Sequence, residues 1–111
     1  MIYDQKNIFA KILRSEIPCD KIYEDEYIMS FKDINPQSKI HVLIIPKEQY
    51  IDIADFLQNA KTQYQTNFWA SVNTIIDSLA LRDKGFQIKT HKGKDGGQEV
   101  FHFHLHLLSN S

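Results

Sequence analysis

The sequence predicts an α+β fold: an antiparallel five-stranded sheet with one long and one or two short helices packed on it. Three observations carry that expectation. The run Phe101-His102-Phe103-His104-Leu105-His106-Leu107-Leu108 alternates large apolar side chains with imidazoles, the period of two that belongs to a strand. Between Asp52 and Leu81, Leu57, Ala60, Tyr64, Phe68, Val72, Ile75, Ile76 and Leu79 step by three and four, the period of a helix with one apolar face. Four further short runs are rich in β-branched and aromatic residues and end at turn residues. With 111 residues and no internal repeat or linker, residues 1–111 are expected to form one domain.

Taken in order, the first element is a short amphipathic helix over Asn7 to Leu13. Ile8, Phe9, Ile12 and Leu13 supply its apolar face, Asn7 or Asp4 can cap it, and it ends near Ser15-Glu16. Pro18 forces an extended exit, so Asp20 to Glu24 is read as a strand. Tyr27 to Ile34 follows as a strand buried mainly on one side, and Asn35-Pro36 turns the chain. Ile40 to Ile45 is a core strand bounded by Pro46, with His41 its one polar interruption. The long helix over residues 52–81 carries a potential break near Asn59 and stops at Arg82-Asp83-Lys84-Gly85. Phe86 to Thr90 is a short strand, joined to the histidine strand by a loop holding three of the four glycines. Ile75, Ile76 and Leu79 on a partly exposed helix face, with the edge strand before that loop, call for a two-fold dimer.

Composition excludes several classes of function. A net charge of -1 provides no field to attract nucleic acid or an anionic membrane, so any anion must be gripped locally. No apolar run approaches the roughly 20 residues of a spanning helix. Cys19 has no partner for a disulfide, and the N-terminus lacks the basic and apolar segments of a signal peptide, so the expected compartment is the cytoplasm.

In a strand, His102, His104 and His106 share one face, while Phe101, Phe103, Leu105 and Leu107 share the other. The apolar face anchors and the imidazole face is free for chemistry. Three imidazoles can ligate a metal, or can act as a nucleophile with hydrogen-bonding companions. Only Asp95 and Glu99 lie near in sequence to orient zinc-bound rings, and the loop Gly93-Lys94-Asp95-Gly96-Gly97 has no role around zinc. Backbone N–H groups of that loop, with Lys92 and Lys94, would suit a phosphate. The residues therefore favour phosphorus chemistry without metal or cofactor.

His102-Phe-His104-Leu-His106-Leu-Leu resembles the histidine triad that names the HIT family of nucleotide hydrolases and transferases. Asn7-Ile8-Phe9-Ala10-Lys11-Ile12, Glu16-Ile17-Pro18, Phe31-Lys32-Asp33-Ile34-Asn35-Pro36-Gln37, His41-Val42-Leu43-Ile44-Ile45-Pro46-Lys47 and Gly96-Gly97-Gln98 resemble its HINT branch, over nearly the whole chain. The resemblance implies a homodimer with two sheets joined across it and a purine nucleotide pocket in each subunit. It implies that His104 attacks the α-phosphorus, that His106 holds a non-bridging oxygen, that His102 fixes the backbone acceptor of His104, and that His41 stands beside the triad. It further implies that Asp33 accepts the ribose hydroxyls and that Ile8, Phe9, Ile12, Phe31, Ile34 and Leu43 surround the base. His91, Gly97 and Gln98 would meet the phosphate. Glu99 belongs to the same nucleotide-binding set, where a carboxylate repels phosphate unless protonated or turned away but can give a proton to a leaving amine.

The sequence also departs from the family pattern. His91 stands where Asn is usual, Glu99 where many members have Ser, and Gln49 where His is frequent. Beyond Ser109-Asn110-Ser111 there is no Gly-rich tail, which bears on leaving-group selection. The expected function is hydrolysis of purine nucleoside phosphoramidates or related adenylates, conjugates of AMP or GMP, through a nucleotidyl-histidine. The alternatives are a dinucleoside polyphosphate hydrolase and a nucleotide-binding interaction module.

Overall fold

The computed structural model describes residues 1–111. Along the chain come α1 (Ile8–Leu13), β1 (Lys21–Glu24), β2 (Ile28–Lys32), β3 (Ile40–Pro46), α2 (Ile53–Asn59), α3 (Thr62–Ser78), β4 (Gln87–Lys89) and β5 (Leu105–Ser109). The five strands form one antiparallel sheet in the order β1-β2-β3-β5-β4. The expected α+β architecture is therefore present.

Each face of the sheet has its own core. On one face Ile28, Val42, Ile44, Leu105 and Leu107 pack with Phe56 of α2 and Phe68, Val72 and Ile75 of α3. The Phe56, Phe68 and Phe103 rings meet with centroids 4.8 to 5.5 Å apart. On the other face Met29, Phe31, Leu43 and Ile45 pack with Phe9 and Ile12 of α1. Asn7 caps α1 by accepting from the Ala10 N–H at 2.9 Å. That short helix covers only part of its face, and the histidines lie on the remainder.

Two expectations about these elements need correction, and one is met. The break near Asn59 is present: Ala60 and Lys61 take extended backbone angles and divide residues 52–81 into α2 and α3. Gln65 explains how the break is tolerated: its Nε2 donates to the carbonyls of Leu57 and Ala60 at the end of α2, and to that of Phe56, which also accepts the Ala60 N–H. α3 ends at Ser78 rather than at Leu81, with Ala80 at φ 56° and the Leu81 N–H bonded to the Ile76 carbonyl. Finally, Ile75 and Ile76 are buried in the core and Leu79 is partly buried against it, so these three residues do not form the partly exposed face expected. Exposed large apolar residues include Trp69 on α3, Phe86 just before the edge strand β4, and Ile88 within it.

The histidine run is also shorter as a strand than its pattern suggests. Pairing begins only at Leu105, and Phe103 donates its N–H to the Tyr50 carbonyl at 2.7 Å instead. Alternation survives, since Phe103, Leu105 and Leu107 enter the helix-side core. Leaving the ladder frees the backbone of residues 101–104 to hydrogen-bond with the site.

Candidate active site

Four imidazoles gather on the α1 side of the sheet. His41 is on β3 and His106 on β5, while His102 and His104 precede β5. Backbone groups fix their protons. The Gln37 N–H can only donate, so Nδ1 of His41, 3.0 Å away, accepts and the ring proton sits on Nε2. That Nε2–H meets Nδ1 of His106 at 3.0 Å, leaving the Nε2–H of His106 as a free donor.

A second chain runs through the other two rings. Nε2–H of His102 donates to the Pro46 carbonyl at 2.9 Å, so its Nδ1 accepts, and the Tyr3 hydroxyl donates to it at 2.5 Å. Nδ1 of His104 lies 2.7 Å from the carbonyl of His102, which can only accept. The proton of His104 is thereby held on Nδ1 and the lone pair on Nε2. The His104 and His106 rings are 5.1 Å apart between centroids, and the Phe9 ring meets His104 edge-on at 4.9 Å.

All three triad rings are held neutral. Burial pushes His102 down to about 4, only partly opposed by its hydrogen bond to Pro46. Burial, reinforced by His104, His41 and His91, pushes His106 down to about 4 against the pull of Asp33. Burial likewise lowers His104, with the His102 carbonyl opposing. At neutral pH, His104 presents an unprotonated nitrogen, the state in which an imidazole is nucleophilic.

These groups open on a cavity of about 580 Å³. His104, His106 and His41 form its floor, Phe9 and Leu43 its apolar end, and Asp33 lies at its rim with Oδ2 3.4 Å from Nε2 of His41. Asp33, His41 and His106 bring three potential metal-ligand atoms within 4.8 Å of one another. Two of those atoms are already engaged, because the proton on His41 is donated to His106. A cation there would have to displace it.

Residues 14–111 match the family model described as the HIT domain. The chain belongs to the HIT family. A HIT-like protein of Helicobacter pylori is 42% identical over 103 residues, which cover 93% of this chain and 95% of that protein. The purine nucleoside phosphoramidase of Escherichia coli K12 is 34% identical over 105 residues, 94% of this chain and 87% of that one. In structure, a HIT family hydrolase from Clostridium thermocellum is similar with a TM-score of 0.86 at 35% identity, over 97% of this chain and 93% of that one.

The cavity of this HIT protein gathers some of the residues singled out from sequence and not others. Phe9, Asp33, Leu43, His91, Gly97 and Glu99 line it with His41, His104 and His106. His102 does not face it: the ring is wholly buried behind Phe9 and Tyr3, so the imidazole face is only partly free. Ile12 and Phe31 lie in the core behind Phe9, Ile8 is 41% exposed, and Ile34 is 87% exposed and off the cavity wall. Gln98 is a brace, its amide spanning the Gly93 N–H and the Ile51 and Val100 carbonyls. Gln49 pairs with Gln5 at the surface.

The glycine loop is also less open than expected. The N–H groups of Gly96, Gly97 and Gln98 are donated to Gly93 and Lys94 carbonyls, and that of Gly93 to Gln98, so they are not free for phosphate. Nδ1–H of His91 donates to the Gly96 carbonyl at 3.0 Å. Sequence reasoning missed Asn35, Gln37, Lys89, Val100 and Leu108 on the cavity wall, and Tyr3 beneath it. The period of two in β4 was the available signal for Lys89. Nothing local marks Tyr3.

Proposed function

We propose that residues 1–111 act as one HIT domain that hydrolyses purine nucleoside 5'-phosphoramidates or related adenylates and releases the nucleoside monophosphate. The observation that supports this reading is the pair of hydrogen-bond chains that leave a lone pair on His104 and a free N–H on His106, side by side in the cavity. Similarity to the Escherichia coli purine nucleoside phosphoramidase supports the substrate class.

In this account the purine lies toward Phe9 and Leu43, and Asp33 accepts from the ribose hydroxyls. Nε2 of His104 attacks the α-phosphorus, and the bond from phosphorus to the leaving nitrogen breaks. The electron pair departs with that nitrogen, which takes a proton from water. Nε2–H of His106 donates to a non-bridging oxygen as charge builds there, a donor already positioned by its bond to His41. Water then attacks phosphorus, the bond to His104 breaks with its pair returning to Nε2, and the water proton goes to solvent. No step calls for a metal.

Two further expectations belong to this reading. The exposed edge of β4, with Ile88, is the surface for a two-fold dimer, to be read by sedimentation at micromolar concentration. The single Cys19 suits the cytoplasm. The reaction itself is tested by comparing adenosine and guanosine 5'-phosphoramidates with a diadenosine polyphosphate in steady-state turnover. The reading expects a higher kcat/KM for a phosphoramidate. Faster cleavage of the diadenosine polyphosphate would replace it with the polyphosphate hydrolase, and binding without turnover would replace it with a nucleotide-binding module.

A further inference from the structure

Strand register sets the chemistry of the sheet in a row. Phe31 on β2 pairs with Leu43 on β3, Leu43 with His106 on β5, and His106 with Lys89 on β4. Residues paired directly across antiparallel strands point to the same face. Across one face, the row therefore runs apolar, apolar, imidazole, ammonium. A nucleotide with its base toward the apolar end and its phosphorus at the imidazoles has its leaving group over β4.

A second cavity, of about 390 Å³, lies there. It shares Gln37, Lys89 and Leu108 with the first, so the two adjoin, and Ser38, Gln87 and Asn110 give it polar walls. Lys89 is the one charged residue that lines it. Its ammonium, like those of most lysines here, makes no ion pair, and so it is not neutralised by a carboxylate. The acidic groups of the site, Asp33 and Glu99, line the first cavity but not the second.

We infer that the second cavity receives the leaving group and that Lys89 selects leaving groups bearing negative charge. The inference rests on the proposed nucleotide hydrolysis and adds its specificity. The anion is a carboxylate or a phosphate, both of which an ammonium attracts as a point charge. An attraction of this kind at a partly exposed site is worth about tenfold and weakens as salt rises.

The test uses AMP joined through nitrogen to glycine amide, to glycine, to 2-aminoethyl phosphate and to lysine amide. These give a neutral, a carboxylate, a phosphate and a cationic leaving group. Wild-type kcat/KM should favour the carboxylate or the phosphate over the neutral compound by about tenfold, and the favoured arm names the anion. Lys89→Ala should bring that ratio near one, and Lys89→Glu should invert it in favour of the cationic compound. Equal rates in the wild type, or a preference that survives Lys89→Ala, would overturn the inference. Affinities of the same compounds for His104→Asn, with or without Lys89→Ala, read the preference without turnover. Failure of the hydrolase reading is thereby distinguished from failure of this one.

Discussion

The Tyr3 hydroxyl and Nδ1 of His102 are 2.5 Å apart, across 99 positions of sequence. The contact completes a chain that starts outside the triad and ends on its reactive nitrogen. Tyr3 supplies one proton to His102, His102 supplies the other to Pro46, and the His102 carbonyl takes the Nδ1 proton of His104. Tyr3 touches none of the reacting atoms, so it is a positioning residue.

Tyr3→Phe keeps the ring edge against His102 but leaves a buried nitrogen without its donor, a loss of about 1 to 3 kcal/mol. Denaturant unfolding should show that loss. If the contact also orients His104, kcat should fall about tenfold while KM stays within a factor of two, since the base end of the cavity is untouched. A stability loss with kcat unchanged would reduce Tyr3 to a structural role.

The histidines also make stability depend on pH. A histidine whose folded pKa lies below its unfolded value of about 6.5 binds more protons when unfolded between the two values. Its contribution is complete above pH 6.5 and is lost as pH falls toward the folded value. For His102, lowered to about 4, the loss is on the order of 3 kcal/mol, and His104 and His106 act in the same direction. Unfolding free energy should therefore fall from pH 7 to pH 4, with a smaller fall in His102→Asn. A flat profile would contradict the assigned neutral rings.

Ala80 holds a left-handed conformation, φ 56°, at the end of α3 and is exposed. Ala80→Gly relieves that strain but loosens the unfolded chain, for a net gain of about 0.5 to 1 kcal/mol. The thermal midpoint should rise by a few degrees. A fall would mean that the Ala80 side chain contributes packing.

Activity should be unchanged by dialysis against a chelator, because the reaction as described uses only imidazoles and water. Stoichiometric zinc in the purified protein, with activity lost on its removal, would move Asp33, His41 and His106 from a hydrogen-bond relay to a metal centre.

What could be read from sequence divides along physical lines. Regular alternation and helical stepping reported the sheet and helices, because burial imposes those periods directly. The break at Ala60 and Lys61 was legible only as a potential, since its support, the Gln65 amide, folds back from the next helix. Likewise, the composition of the 91–99 loop suggested free N–H donors, but the loop satisfies them through its own carbonyls. His104 and His106 stood out by pattern. The tautomers that separate attacker from donor depend on Pro46, Gln37 and Tyr3, contacts that folding alone creates.

The central claim is that Nε2 of His104 is the atom that bonds to phosphorus, and mass analysis of a trapped intermediate tests it most directly. Adenosine 5'-phosphoramidate is mixed with a slight excess of enzyme, quenched within milliseconds in neutral denaturant, and the peptide holding residues 101–108 is sequenced by fragmentation. The account predicts an adenylyl group on His104, no adduct in His104→Asn, and turnover in that variant reduced by several orders of magnitude. An adduct on His106, or His104→Asn with near wild-type turnover, would contradict it.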